Sequence, residues 1–242
     1  VAPGSHRNAA MSGPGGVDNS ERREVLPGAY AAAKMLNLPP EDWMHLSYQS
    51  MEVAAMSVWA LSSPLLEKGL LVRDDMKKVL ELAQRLTELG EERHDKASEA
   101  LSGVLVSFSN DPVASIELFG NASGGGVDTL ESLLEYPSAI ETRAMSCTAL
   151  AKVTADSNAQ QREALLDRGM FNKLCDSVIA GGSESVEHQI RLQESASLAL
   201  MNLTAGRPNL KHEEARDMLE MIIRTEHPEA LQYLLAALWA AL

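Results

Sequence analysis

From about residue 39 onward, apolar residues recur at intervals of three and four rather than two. Spacing of that kind lines one side of a helix, whereas alternation would line one face of a strand. Three amphipathic segments show it most clearly: Met76, Val79, Leu80, Ala83 and Leu86; Val127, Leu130, Leu133 and Leu134; and Met170, Leu174 and Val178. Glycine precedes each of them, at Gly69, at Gly124 to Gly126 and at Gly169, and marks a turn. A fourth segment with Met218, Leu219, Ile222 and Ile223 lacks that glycine and reads as a degenerate copy.

Between these segments lie Ala- and Leu-rich helices that close on similar stretches: Val58 to Ser62, Leu105 to Ser109, Leu150 to Thr154, Leu200 to Thr204 and Leu238 to Leu242. Aligning Leu61, Phe108, Val153, Leu203 and Ala241 gives separations of 47, 45, 50 and 38 residues. Periods of about 40–47 residues belong to helical solenoid units. Small residues upstream of each anchor, among them Ala54, Ala100, Ala144, Ala196 and Ala237, let a neighbouring helix approach closely. Gly181, Gly182 and Ser183 open an insertion that accounts for the longest spacing. Helix starts are expected where Asp128 and Glu131, or Ser138 and Glu141, have capping-box spacing, and where Pro228 fits a first turn.

Residues 1–16 read as a disordered, vector-derived leader and residues 17–46 as an N-terminal helical cap, interrupted at Pro27 and Gly28, with Trp43 against the first unit. Residues 47–242 read as about four repeats plus the start of a fifth. The run Leu234 to Leu242 is still apolar where the sequence stops, as expected for a fragment of a longer protein.

The segment Gln193 to Thr204 (QESASLALMNLT) resembles the second helix of an armadillo repeat, as do Val53 to Ser62 and Glu99 to Ser109. Glu163 to Leu174 is similar to the turn and third helix of the same unit. The resemblance implies an all-α, right-handed superhelical α-solenoid whose third helices line a groove for peptides or partner helices. In the nuclear-import adaptors of that superfamily, successive repeats carry a Trp and, four residues later, an Asn. Here Trp59 is followed by Ser63, Met201 by Ala205 and Ala151 by Ala155, while Asn110 has Val106 in place of Trp. That ladder is missing, and with it the import-adaptor function.

Composition supports helices: aromatic residues make up 4% of the chain against 45% hydrophobic residues overall. A net charge of -13 opposes attraction to nucleic-acid phosphates and anionic lipid. No run reaches the length of a membrane span. Cys147 and Cys175 lie on apolar helix faces and read as buried free thiols, consistent with the cytoplasm or, alternatively, the nucleus.

Catalytic and cofactor chemistry find no support. His6, His45, His94, His188, His212 and His227 have no partner at metal-ligand spacing along the sequence, and Ser123 to Val127 reads as an inter-helix turn rather than an anion cradle. Trp59 and Trp239 occupy equivalent positions and read as core residues. The candidate partner-binding set is therefore the outward side of the third helices: Lys77, Glu81, Gln84, Glu131, Glu135, Asn172, Asp176, Glu220 and Arg224. Glu131, Glu135 and Asp176 favour a basic or amphipathic segment of another protein. The expected function is a non-catalytic scaffold or adaptor without cofactor or metal; the alternative is an armadillo-type regulator or co-chaperone acting on a small GTPase, Hsp70 or myosin.

Overall fold

The structure is a computed structural model that describes residues 42, 45–69, 71, 73–89, 94–120, 125–136, 139–179, 186–206 and 210–241. The leader, nearly all of the expected N-terminal cap with Trp43, and the insertion at Gly181 to Ser183 lie outside these residues.

Among the described residues the chain forms eleven helices and no strand. In order these are α1 (Tyr48–Glu67), α2 (Arg73–Leu89), α3 (Asp95–Asn110), α4 (Pro112–Phe119), α5 (Gly126–Leu134), α6 (Ile140–Asp156), α7 (Ala159–Asp167), α8 (Met170–Ile179), α9 (Val186–Thr204), α10 (His212–Arg224) and α11 (Pro228–Ala241). The longer helices α1, α3, α6, α9 and α11 stack in sequence order into one layer. A second layer runs α2, α5, α8, α10, and its members touch one another far more sparingly. Each expected anchor falls near the end of a long helix, and Phe108, Val153 and Leu203 are buried.

Small residues set the spacing of the long helices, since Ala54, Ala100, Ala144, Ala196 and Ala199 are all fully buried. A close approach occurs at Gly103 in the middle of α3, where an added Cβ would come within 2.2 Å of the indole ring of Trp59 on α1. Polar bonds then fix the register between neighbours. Ser62 on α1 donates to Ser107 on α3 at 2.9 Å, Thr148 on α6 bonds Ser195 on α9 at 2.9 Å, and Asn202 on α9 donates its amide to the Ala151 carbonyl on α6 at 2.8 Å.

Two of the polar turns expected between repeats are helices in their own right. Asp111 caps α4 by accepting from the Val113 and Ala114 amides, with Pro112 in the first turn where its missing N–H costs nothing. Asn158 and Gln161 form a reciprocal capping box on α7. The segment Glu163 to Leu174 thus comprises the end of α7, the turn at Gly169 and the first half of α8. Gly169 adopts φ +77 with open space around it, so the backbone conformation, not crowding, demands glycine. The fourth unit does have its glycine: Gly206, at φ +74, sits two residues past α9 rather than next to the following helix.

The expected start at Asp128 and Glu131 is corrected. Helix α5 begins at Gly126, behind a left-handed Gly125 that offers no side-chain cap, so Asp128 and Glu131 lie inside the helix and bind elsewhere. Pro228 does open α11, as expected, and Ser138 lies outside the described residues.

Candidate functional site

The two layers offer different chemistry. On the α2, α5, α8, α10 layer, Lys77, Glu81, Gln84, Glu135, Asn172, Asp176, Glu220 and Arg224 are exposed and Glu131 is half-buried. They do not converge on one pocket, and much of their charge is already compensated within the chain. Arg85 pairs with Glu81 at 2.9 Å and Arg224 with Glu220 at 2.6 Å, each across one turn of its own helix.

Glu131 is the centre of a denser network. Its Oε1 accepts from Lys173 on α8 at 2.6 Å, and its Oε2 accepts from Arg168 in the α7–α8 turn, which also binds Asp128. Lys173 reaches Glu135 as well, at 2.5 Å. Burial alone would raise the Glu131 carboxyl, but the hydrogen bonds from Lys173 and Arg168 together outweigh it and hold the group below the usual carboxylate range. The Lys173 ammonium, which burial would lower, is held above its ordinary value by Glu131 and Glu135. Both Glu131 oxygens are therefore committed to joining one unit to the next. The signal was present as acid–base complementarity between Glu131 and Arg168, but a sequence separation of 37 hides it from any local pattern.

The long-helix layer carries a row of apolar positions, each two residues before its anchor: Trp59, Val106, Ala151, Met201 and Trp239. Trp59, Val106 and Met201 are half-buried, Ala151 is buried and Trp239 is 83% exposed. The expectation that both tryptophans are core holds for Trp59, which packs on Gly103; it fails for Trp239, which stands exposed on α11. Neither asparagine of this layer has a free amide in the import-adaptor manner. Asn110 donates to its own Val106 carbonyl at 3.0 Å, and Asn202 bonds Ala151.

Charged groups also lie near the starts of three successive long helices. Lys96 on α3 binds Glu99 at 2.7 Å, and this bond raises its ammonium above its ordinary value against a smaller opposing effect of burial. The carboxylates of Glu52 on α1 and Glu141 on α6 add to that rise. Glu141 is nearly buried and pairs with Arg191 on α9.

Cys147 and Cys175 are both free and buried, as the sequence suggests. Burial pushes the Cys147 thiol up to about 12, despite a hydrogen bond from Ser177 and the charge of Arg143, and it pushes Cys175 up further. Such thiols have no nucleophilic character. The fold does assemble one ligand-type cluster that spacing along the chain hides: His227, Glu194 and Glu229. No helix of the described residues is long and apolar enough to cross a membrane.

A stack of helical units with long helices in one layer and shorter ones in the other is the architecture of an α-solenoid. The chain is similar to a designed armadillo repeat protein solved in complex with the peptide (KR)4, at a TM-score of 0.57 and 16% identity, over 90% of this chain and 84% of that one. A second designed armadillo repeat protein aligns over 86% of this chain and 98% of that one, at 14% identity and a TM-score of 0.36. No protein-family model matches the sequence, and no curated protein matches it. The chain has the fold of an armadillo-repeat solenoid.

Proposed function

We propose that the chain is a non-catalytic protein-interaction scaffold that holds an extended or helical segment of a partner protein against its long-helix layer. The observation that carries this reading is the apolar row from Trp59 through Val106 and Met201 to Trp239, repeated at one register and only partly covered. Curvature favours the same layer. Long helices pack along much of their length while members of the other layer meet more sparingly, which favours a stack that closes toward the long helices. A concave surface buries more of a bound segment than a convex one.

Charge supports a basic or amphipathic segment that lays its apolar side chains on the row and its cationic ones toward the acidic surface. The designed protein of similar fold is bound to a peptide of alternating Lys and Arg, and a net charge of -13 suits a ligand of that sign here. The acids first expected to recruit it contribute less, because Glu131, Glu135 and Glu81 already hold cations of the chain itself.

Selection of a displayed random-peptide library on the immobilised chain, followed by hydrogen-exchange footprinting with the enriched peptides, tests the proposal. Protection of α3, α6 and α9, with binding lost in Met201→Asp, is the expected result. Protection confined to α2, α5, α8 and α10, or no enrichment, refutes it.

A further inference from the structure

His227 directly precedes α11 and faces α9. Its Nδ1 lies 3.3 Å from Glu194 Oε1 on α9 and 3.5 Å from Glu229 Oε2 in the first turn of α11. These three atoms all lie within 4.8 Å of one another. Nδ1 is sealed from solvent yet makes no hydrogen bond, although both carboxylates are near enough to accept one. The oxygens must therefore flank the ring's N–H axis instead of lying on it.

That arrangement suits a shared point in front of the nitrogen. Ligand atoms around a tetrahedral ion with bonds of about 2.0–2.1 Å stand about 3.3–3.4 Å apart, close to the separations of His227 Nδ1 from the two carboxylates. The charge balance points the same way. Among the described residues no Lys or Arg pairs with Glu194 or Glu229, and the nearby Arg224 is taken by Glu220. Attraction of acids to a helix N-terminus explains Glu229. It does not explain Glu194, which arrives from another helix 33 residues earlier than His227.

We propose that Glu194, His227 and Glu229 bind a divalent transition-metal cation, Zn2+ fitting best, with the fourth position open toward the cleft lined by Val186, Gln193, Arg224 and Glu226. Imidazole with two carboxylates favours zinc over calcium or magnesium, which take oxygen donors alone. The bound cation clasps α9 to the start of α11 and so ties the last unit to the one before it.

The test is calorimetric titration of Zn2+ into the whole chain after chelator treatment, beside His227→Gln and Glu194→Gln. Loss of even an outer-shell partner costs about 10–100-fold in metal affinity, so losing a ligand should cost at least that. One saturable site per chain is expected, absent in His227→Gln and weakened by that factor in Glu194→Gln. Thermal unfolding should shift upward with Zn2+ most in the unsubstituted chain, less in Glu194→Gln and not at all in His227→Gln. Identical isotherms for all three proteins would place the binding at other histidines and overturn the proposal, as would the lack of any saturable site. Should a variant lose helix content by circular dichroism, the visible spectrum of the unsubstituted chain with Co2+ decides. Intense bands of a four- or five-coordinate ion support the site, and the weak bands of an octahedral aqua ion refute it.

Discussion

Gly103 beneath Trp59 gives the sharpest test of how the long helices meet. Replacing Gly by Ala inside a helix normally stabilises by about 1 kcal/mol, because the unfolded chain loses freedom. At Gly103 the new methyl would overlap the indole of Trp59, a rigid bicycle that can move only by leaving its seat between α1 and α3. Overpacking of that kind costs about 1–3 kcal/mol. Gly103→Ala should therefore range from neutral to destabilising by about 2 kcal/mol. In a Trp59→Ala background the obstruction is gone, and the same substitution should stabilise by the full helix-propensity gain of about 1 kcal/mol. The two steps differ by a coupling of about 1–3 kcal/mol, well within reach of a double-mutant cycle. Urea unfolding of the four proteins, followed by circular dichroism because Trp59 is itself a fluorophore, supplies the numbers. Equal stabilisation by Gly103→Ala in both backgrounds would refute the contact.

Two further outcomes follow from the buried and paired groups. Glu131 has a folded-state value below its ordinary 4.5, so the stability it contributes is complete above that value and is lost as pH falls through the depressed one. Arg168 and Asp128 are partly solvated, which limits the contribution to about 1 kcal/mol, and Glu131→Gln should abolish that part of the acid sensitivity; parallel pH profiles for the two proteins would contradict the network. The thiols of Cys147 and Cys175 should stay unreactive toward a disulfide reagent in the native chain and react together in denaturant, and labelling faster than unfolding would show that they are not sealed.

Much of the fold is legible because its signals are local. The three- and four-residue periodicity of Met76 to Leu86 or Met170 to Val178 depends only on which side of one helix is buried, and those residues are indeed core. The repeat period is equally readable, since it counts units without needing to know how they touch. Helices α4 and α7 escape this reading for a physical reason. Leu165 is the only buried residue of α7, so no apolar stripe exists to be seen, and the cap residues Asp111 and Asn158 are what announce the two helices. The candidate site was harder to read. Glu131 looks like a solvated acid until α8 brings Lys173 to it, and His227 looks isolated until α9 supplies Glu194. Each of these depends on what the adjacent unit presents, which no periodicity within one helix encodes.

The bonds Ser62 to Ser107, Thr148 to Ser195 and Asn202 to Ala151 join residues 45, 47 and 51 apart and fasten α1 to α3 and α6 to α9, and every long helix packs on its immediate neighbour. A chain tied in this manner has little long-range order to assemble, and folding can start in any adjacent pair and spread outward at modest loop-closure cost. Under tension the same arrangement lets units peel away one at a time from an end, each step giving up one neighbour's contacts. Inserting or deleting a whole period between α6 and α9 would then lengthen or shorten the surface without altering the joints on either side.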